Sequence, residues 1–284
     1  MLASGGSRGA MGRERRRLLV DPARLTACTG SDGALTLDAT EHHYLTRVLR
    51  LTAGESVLVG DGCGHLWSGT LQARSAASRG GLALVLDPQP TAAQDRPQPW
   101  LELGLVVPRR DADLAWRMAC ELGADRLQPL TSRYGVVRDR LPLERWGTIL
   151  REASEQCERL WLPTLAAPME AEAWWTTAAA GGDGADALDP PPALRLLATT
   201  RHDGLPLLQH LLAAAEPPRG VQLAIGPEGG WSSQEESAAT AHGWRPVSLG
   251  PAILRTATAA VAAMALLSSW RAGLSGPSSP GRSS

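Results

Sequence analysis

The chain contains no Phe, no Lys and no Asn. Every cationic contact therefore falls to Arg or His, and the planar guanidinium suits bidentate phosphate recognition better than an ammonium does. Four cysteines (Cys28, Cys63, Cys120 and Cys157) are present, but no C-x-x-C pair. Their scatter argues against a metal site and against a disulfide framework, and it fits a reducing, cytoplasmic location. Long apolar runs are also missing. The longest, residues 259–267, is far too short to cross a bilayer, so no membrane partner is expected. The first residues, MLASGGSRGAMGRERRR, carry arginines but no apolar core of a secretory signal. Net charge is −1, so no global field draws the chain to nucleic acid.

What is present is a 284-residue chain, 43% hydrophobic and 20% charged, which is enough to bury a core and sets a prior of two domains. Charge is mildly uneven. Residues 1–90 hold 10 Arg against 8 acids, and residues 161–284 hold 7 Arg against 10. A nucleic-acid contact would thus be a local patch, expected in the first half.

Residues 1–12 are Gly/Ser-rich and expected to be disordered, with Met11 a second candidate start; residues 272–284 are expected to be a disordered tail. Residues 13–90 read as one small β-barrel domain. Strands are predicted at 17–20, 34–38, 55–60, 65–73 and 82–86, and Asp61-Gly62-Cys63-Gly64 is a hairpin signal. One helix, 41–50, is predicted to bury Leu45, Val48 and Leu49. The Pro-containing stretch 91–99 reads as a linker. From residue 100 to 271, strands and helices alternate. Strands are expected at 100–107, 127–130, 194–198, 221–225 and 246–249. Helices are expected at 111–122, 143–157, 232–243 and 256–270, with a surface loop at 178–193. Gly123 is placed as a helix C′ residue, and Ser232-Ser233-Gln234-Glu235 is a capping box. The fold class is α/β with a mostly parallel sheet and helices on both faces.

Two segments carry the chemistry. In LAIGPEGGWS, residues 223–232, a buried strand runs into Gly226-Pro227-Glu228-Gly229-Gly230 and then a capped helix. Glycines at the carboxyl end of a parallel strand let backbone approach a ligand. The loop has neither the G-x-G-x-x-G fingerprint nor a Walker G-K-S/T, and a tight strand-to-helix turn explains it as well. In SLGPAILRTAT, residues 248–258, the design repeats. Two such loops leaving neighbouring parallel strands would form a cleft with walls from Ile253 and Leu254, suited to a flat heteroaromatic ring.

The pair IGPEGGWS and LGPAILRTATA closely resembles the signature of the ribosomal RNA small subunit methyltransferase E family, which reads IGPEGG, S-x-x-E and LG-x-x-ILRTETA. Weaker likenesses agree. Cys120-Glu121-Leu122-Gly123-Ala124 is similar to the family's ELGV. The run Glu152–Cys157, with Arg159 and Pro163, is similar to EA-x-EQ-x-x-R…P. His42 with Arg47-Val48-Leu49-Arg50 is similar to H-x-x-x-VLR. The resemblance spans residues 17–271 and departs from the family at Ala257, where relatives carry Glu.

The resemblance implies a PUA-like barrel followed by a SPOUT-type methyltransferase domain with a C-terminal trefoil knot. It implies S-adenosylmethionine (SAM) as cofactor, a homodimer, and methylation of N3 of a uridine in 16S ribosomal RNA of the small ribosomal subunit. A methyltransferase acting on tRNA or another base, or a non-catalytic RNA-binding relic, remains the alternative. The SAM contacts implied are Leu197, Ala198 and Thr199 from one strand end; Ile225, Gly226, Pro227, Glu228, Gly229 and Gly230 from the first loop; and Leu249, Gly250, Ile253, Leu254, Arg255, Thr256 and Ala259 from the second. Arg255 or Arg159 would stabilise the uracil anion, and Glu228 or Glu155 would accept the proton. Arg47, Arg50 and Arg159 are the RNA-contact candidates, though a solvated helix face explains the first two equally well. Plain sheet core explains Leu197, Ala198 and Thr199 equally well.

Overall fold

The computed structural model describes residues 16–29, 33–73, 82–135, 141–180, 194–200, 202–214 and 216–274. The expected N-terminal extension lies outside these residues, as do most of the 178–193 loop and of the 272–284 tail. The chain divides into two compact units. One runs to Asp95 and takes in Glu158–Leu160; the other comprises Arg96–Cys157 and the chain from Trp161 onward.

The first unit holds β1 (Arg17–Leu19), α1 (Pro22–Thr29), β2 (Ala34–Thr36), α2 (Ala39–His43), a π-helical turn (Tyr44–Val48), β3 (Ser56–Gly60), β4 (His65–Ala73), β5 (Leu82–Leu86) and β6 (Ala92–Ala93). The strands form one sheet in the order β1-β3-β4-β5-β2, with β6 added to β4. Only β1 and β3 pair in parallel among them. Leu18, Leu25, Leu35, Leu45, Val59, Leu71 and Leu84 fill its core. The sequence reading misses α1, although Asp21-Pro22 is a sound start signal: the Asp21 carboxylate accepts the Ala23 N–H at 2.8 Å, and Pro22 occupies a position where a missing N–H costs nothing. Residues 91–99, read as a linker, contain β6.

The predicted helix 41–50 departs from α-helical spacing. After α2 the Leu49 N–H donates to the Tyr44 carbonyl, five residues back, at 2.9 Å. This wider turn rotates later side chains relative to a 3.6-residue period. Leu45 stays fully buried, whereas Val48 swings out to 59% exposure, correcting the expectation that it packs inward.

The second unit holds β7 (Trp100–Val106), α3 (Ala112–Glu121), β8 (Arg126–Thr131), α4 (Leu143–Gln156), β9 (Thr164–Leu165), β10 (Met169–Glu170), α5 (Ala171–Ala180), β11 (Leu194–Ala198), α6 (Leu208–Ala214), β12 (Gly220–Ile225), α7 (Ser233–Ala241), β13 (Arg245–Val247) and α8 (Thr256–Leu274). The sheet runs β10-β8-β7-β12-β11-β13, with β9 on β8, and all of these pairings are parallel. One face packs Leu101, Leu103 and Leu105 against Trp116, Trp146, Met264 and Leu267. The other packs Val106, Leu130 and Ala224 against Trp174, Trp175, Trp231 and Trp244. In a chain without Phe, these tryptophans supply the large aromatic volume. Their ring centroids lie 4.7 to 5.6 Å apart in tilted and edge-on pairs, geometry that aromatic quadrupoles favour. Gly104 makes room for them, since a Cβ there would lie 2.2 Å from the Trp174 ring.

Two expectations need correction here. The strands before the two glycine loops, β12 and β13, are not neighbours, because β11 runs between them. The C-terminal helix also outlasts its predicted end at 270 and reaches Leu274. Its last turn is pinned by Arg271, which bonds Asp125 at 2.6 Å and donates to the Gly123 carbonyl at 2.7 Å.

Candidate active site

Three adjacent parallel strands end in a row: Ala198 of β11 lies level with Ile225 of β12 on one side and Val247 of β13 on the other. Carboxyl ends of parallel strands are where open α/β sheets bind ligands. A cleft of about 420 Å³ opens there, within the range of small-molecule sites. Its lining comes from the ends and loops of all three strands, with Tyr134 added from the segment after β8.

The loop after β12 is held from several sides. The Gly230 N–H donates to the Pro227 carbonyl at 2.8 Å, and Gly230 takes φ +77°, which an L side chain resists. The Thr256 hydroxyl, at the start of α8, donates to the Gly226 carbonyl at 3.0 Å and ties the two glycine loops together. Trp231 donates its indole N–H to the Ala198 carbonyl at 3.1 Å, tying the first loop to the end of β11. The predicted capping box is present. Ser232 Oγ accepts the Glu235 N–H at 3.2 Å, and Glu235 Oε2 accepts the Ser232 N–H at 2.8 Å. Both α7 and α8 thus open at the cleft with their positive dipole ends.

Polar groups gather on the β11 side. Thr199 donates its hydroxyl to Glu236 Oε1 at 2.7 Å, and His202 Nε2 bonds Glu236 Oε2 at 2.7 Å. Glu228 and Arg255 are exposed and, among the described residues, have no ion-pair partner. An arginine at the start of α8 opposes the helix dipole, so an anion beside it relieves that cost.

The chain matches the family model described as an RNA methyltransferase domain over residues 95–268, and the model described as an RNA methyltransferase PUA domain over residues 37–76. A relative named ribosomal RNA small subunit methyltransferase E, from Synechocystis sp., is 36% identical over 252 residues, covering 88% of this chain and 76% of its own length. One of the same name from Mycobacterium tuberculosis is 30% identical, covering 84% and 89%. The chain belongs to the ribosomal RNA small subunit methyltransferase E family. A family member from Neisseria gonorrhoeae, solved bound to S-adenosyl methionine, superposes with TM-score 0.72 at 25% identity, over 90% of this chain and 98% of its own. A probable rRNA methyltransferase from Porphyromonas gingivalis shares the fold at TM-score 0.72 and 21% identity, over 91% and 99%.

Of the cofactor contacts that family membership implies, the cleft is lined by Ala198, Thr199, Ile225, Gly226, Pro227, Glu228, Gly229, Gly230, Leu249, Ile253, Leu254, Thr256 and Ala259. Leu197, Gly250 and Arg255 are not among the lining residues. Leu197 is fully buried in the sheet core, Gly250 takes φ +133° in the loop, and Arg255 stands exposed between Leu254 and Thr256. Glu155 lies half-buried on α4, away from the cleft lining. Arg159 falls in the first unit, because the chain leaves α4 at Gln156 and turns through Glu158 at φ +63°. Arg47 and Arg50 are exposed at and just beyond the π-helical turn.

Sequence reasoning missed Tyr134, Thr200, His202, Ser233, Glu236 and Ala252, all of which line the cleft. Glu236 carried a weak signal, standing one residue past the capping box. His202 and Tyr134 carried none, because no periodic pattern links them to the glycine loops.

Proposed function

We propose that this protein uses SAM to methylate N3 of a uridine in 16S ribosomal RNA of the small subunit. The observation that carries the reading is the cleft at the row of strand ends Ile225, Ala198 and Val247, walled by the two glycine loops. Its residues fit SAM. Ile225, Leu249, Leu254 and Ala259 offer apolar surface for an adenine. The Glu236 and Glu228 carboxylates offer acceptors for hydroxyl and ammonium donors, and the openings of α7 and α8 suit a carboxylate. SAM, when bound, supplies a methyl group on a sulfonium sulfur.

The protein's own task is to prepare the nucleophile. N3 of uracil holds a proton and attacks poorly until that proton leaves. Glu228 is exposed in the cleft and accepts it; Arg255, at the positive end of α8, holds the uracil anion that forms. N3 lies on the pairing edge, so the target must be unpaired or flipped out. Arg47, Arg50 and Arg159 of the first unit contact RNA phosphates in this reading. A trefoil knot at the C-terminal loops, a homodimer and a cytoplasmic location complete it.

The test is modified-nucleoside analysis of 16S ribosomal RNA from a strain lacking the gene, paired with calorimetry of SAM on the purified full chain. Loss of 3-methyluridine from that RNA, together with saturable SAM binding, is expected. Unchanged 3-methyluridine refutes the uridine assignment. Absent SAM binding refutes the enzyme.

A further inference from the structure

We propose that Tyr134 is the platform on which the target uracil stacks, and that the mouth of the cleft is a nucleobase subsite built by this ring, Arg133 and the exposed side chain of Ile253. The proposal rests on the uridine reading above.

The tryptophans packed around the cleft are kept inside. Trp231, Trp175 and Trp244, on elements around the cleft, are 9%, 0% and 1% exposed. Tyr134 is 54% exposed, one of four large apolar side chains so exposed among the described residues. A second of those four, Ile253 at 80%, lines the same cleft from another loop. Apolar surface left in water costs about 25 cal/mol per Å². Two such side chains at one cleft mouth mark a place where a flat apolar face is to be covered.

The ring stands on a fixed base. The neighbouring Arg133 N–H donates to Glu235 Oε1 at 2.9 Å, and Glu235 is 3% exposed and locked in the capping box of α7. On the other side Gly229 leaves space for it, since a Cβ at Gly229 would lie 3.1 Å from Tyr134 Cβ. The segment after β8 is thereby seated on the first glycine loop, with the ring partly exposed to solvent. A tyrosine has few torsions to fix, so its stacking loses little entropy.

The surrounding charges suit a nucleotide. The Arg133 guanidinium carbon lies over one face of the ring, 5.9 Å from its centroid, so a base would stack on the opposite face with this cation nearby for a phosphate. Glu228 directly precedes Gly229, so a carboxylate shares the turn on which Tyr134 rests. The ring would hold the face of the base, and the carboxylate would address its N3–H edge. Uracil is a single ring and stacks weakly on its RNA neighbours, so a preformed platform offsets part of the cost of taking it from the stack.

The experiment uses the full-length protein, small ribosomal subunits purified from cells lacking the gene, and saturating SAM. It measures kcat and KM for Tyr134→Ala, Tyr134→Leu, Tyr134→Phe and Tyr134→Trp, with SAM affinity of each by calorimetry. Stacking predicts that Ala and Leu lose about 5- to 150-fold in kcat/KM, the loss of one base–aromatic contact. Phe and Trp should stay within threefold of wild type, and SAM affinity should move less than twofold throughout. An Ala variant within twofold of wild type overturns the proposal. So does a Phe variant as poor as Ala, which would assign the role to the hydroxyl, and so does a Leu variant as good as Phe. A tenfold loss of SAM affinity in the Ala variant also overturns it, because the ring would then belong to the cofactor. If wild type itself leaves the subunits without 3-methyluridine, the uridine reading fails, and this proposal with it.

Discussion

Glu102 is the residue at which the sheet departs furthest from an apolar interior. It lies on β7 at 4% exposure; Gln222 Nε2 donates to its Oε2 at 2.7 Å, and Arg126 Nε lies 3.0 Å from its Oε1. Burial is the dominant influence and raises the carboxyl above the ordinary glutamate value of 4.5, with Gln222 and Arg126 opposing it. Above that ordinary value an unfolded chain has lost the proton that the folded state still holds. Folding therefore takes up a proton in that window, and the stabilising contribution, complete below 4.5, is lost as pH rises through the folded-state value. Glu102→Gln keeps the hydrogen-bonding shape without the charge. Unfolding free energies from urea titrations at pH 5 to 8 should fall more steeply for wild type than for the variant, by at most about 1.4 kcal/mol per pH unit. A difference between the two that grows in favour of wild type as pH rises would refute the assignment. No feature of the sequence announces this residue. Its environment is set by Arg126 and Gln222, 24 and 120 positions away, brought in by strand pairing. The same applies to the Thr199–Glu236–His202 cluster, whose members meet only because β11 and α7 flank one cleft.

At the scale of elements, legibility followed the strength of the local signal. β4, β5 and β11 match their predicted bounds because continuous or alternating apolar residues end at turn residues. α7 was legible from its capping box. α5 and α6 were not, since their runs of Ala, Trp and Leu carry no clear start or stop. The π-helical turn was invisible because the pattern assumed 3.6 residues per turn. The start of α8 raises a sharper question. The family's glutamate is Ala257 here, leaving no acid in the first turn. Ala257 is half-buried and packs against the main core, while Thr256 beside it holds the Gly226 carbonyl. A glutamate at this position would favour the dipole by about 0.3–1 kcal/mol and would sit beside Arg255. We take its family role as orienting that arginine. Ala257→Glu should therefore change the methyl-transfer rate less than tenfold while raising thermal stability slightly. A gain of a hundredfold or more would mean that a general base is missing from this chain, since that is the range such a group supplies.

At the scale of the molecule, α8 decides the last question. It is 19 residues long with a mean hydropathy of 1.2, so by length and composition alone it is apolar enough to cross a membrane. Its packing reads differently. Ala260, Ala263, Met264 and Leu267 enter the core of the second unit, and Arg271 anchors its far end to Asp125. The remaining positions are partly buried or exposed, however, and Leu266, Trp270 and the exposed Leu274 border a groove shared with Leu212 of α6. The homodimer proposed above would set a second copy of the chain against this groove. A stable pair buries about 1,200–2,000 Å² in total, which an element of this length can contribute to from both copies. Light scattering at micromolar concentration should give twice the 30.0 kDa chain mass. Leu274→Arg, which sets a charge at the exposed end of that groove, should halve the mass and leave the fold intact by circular dichroism. A wild-type mass of one chain at that concentration would show that the groove takes no second copy, and the homodimer would have to be abandoned.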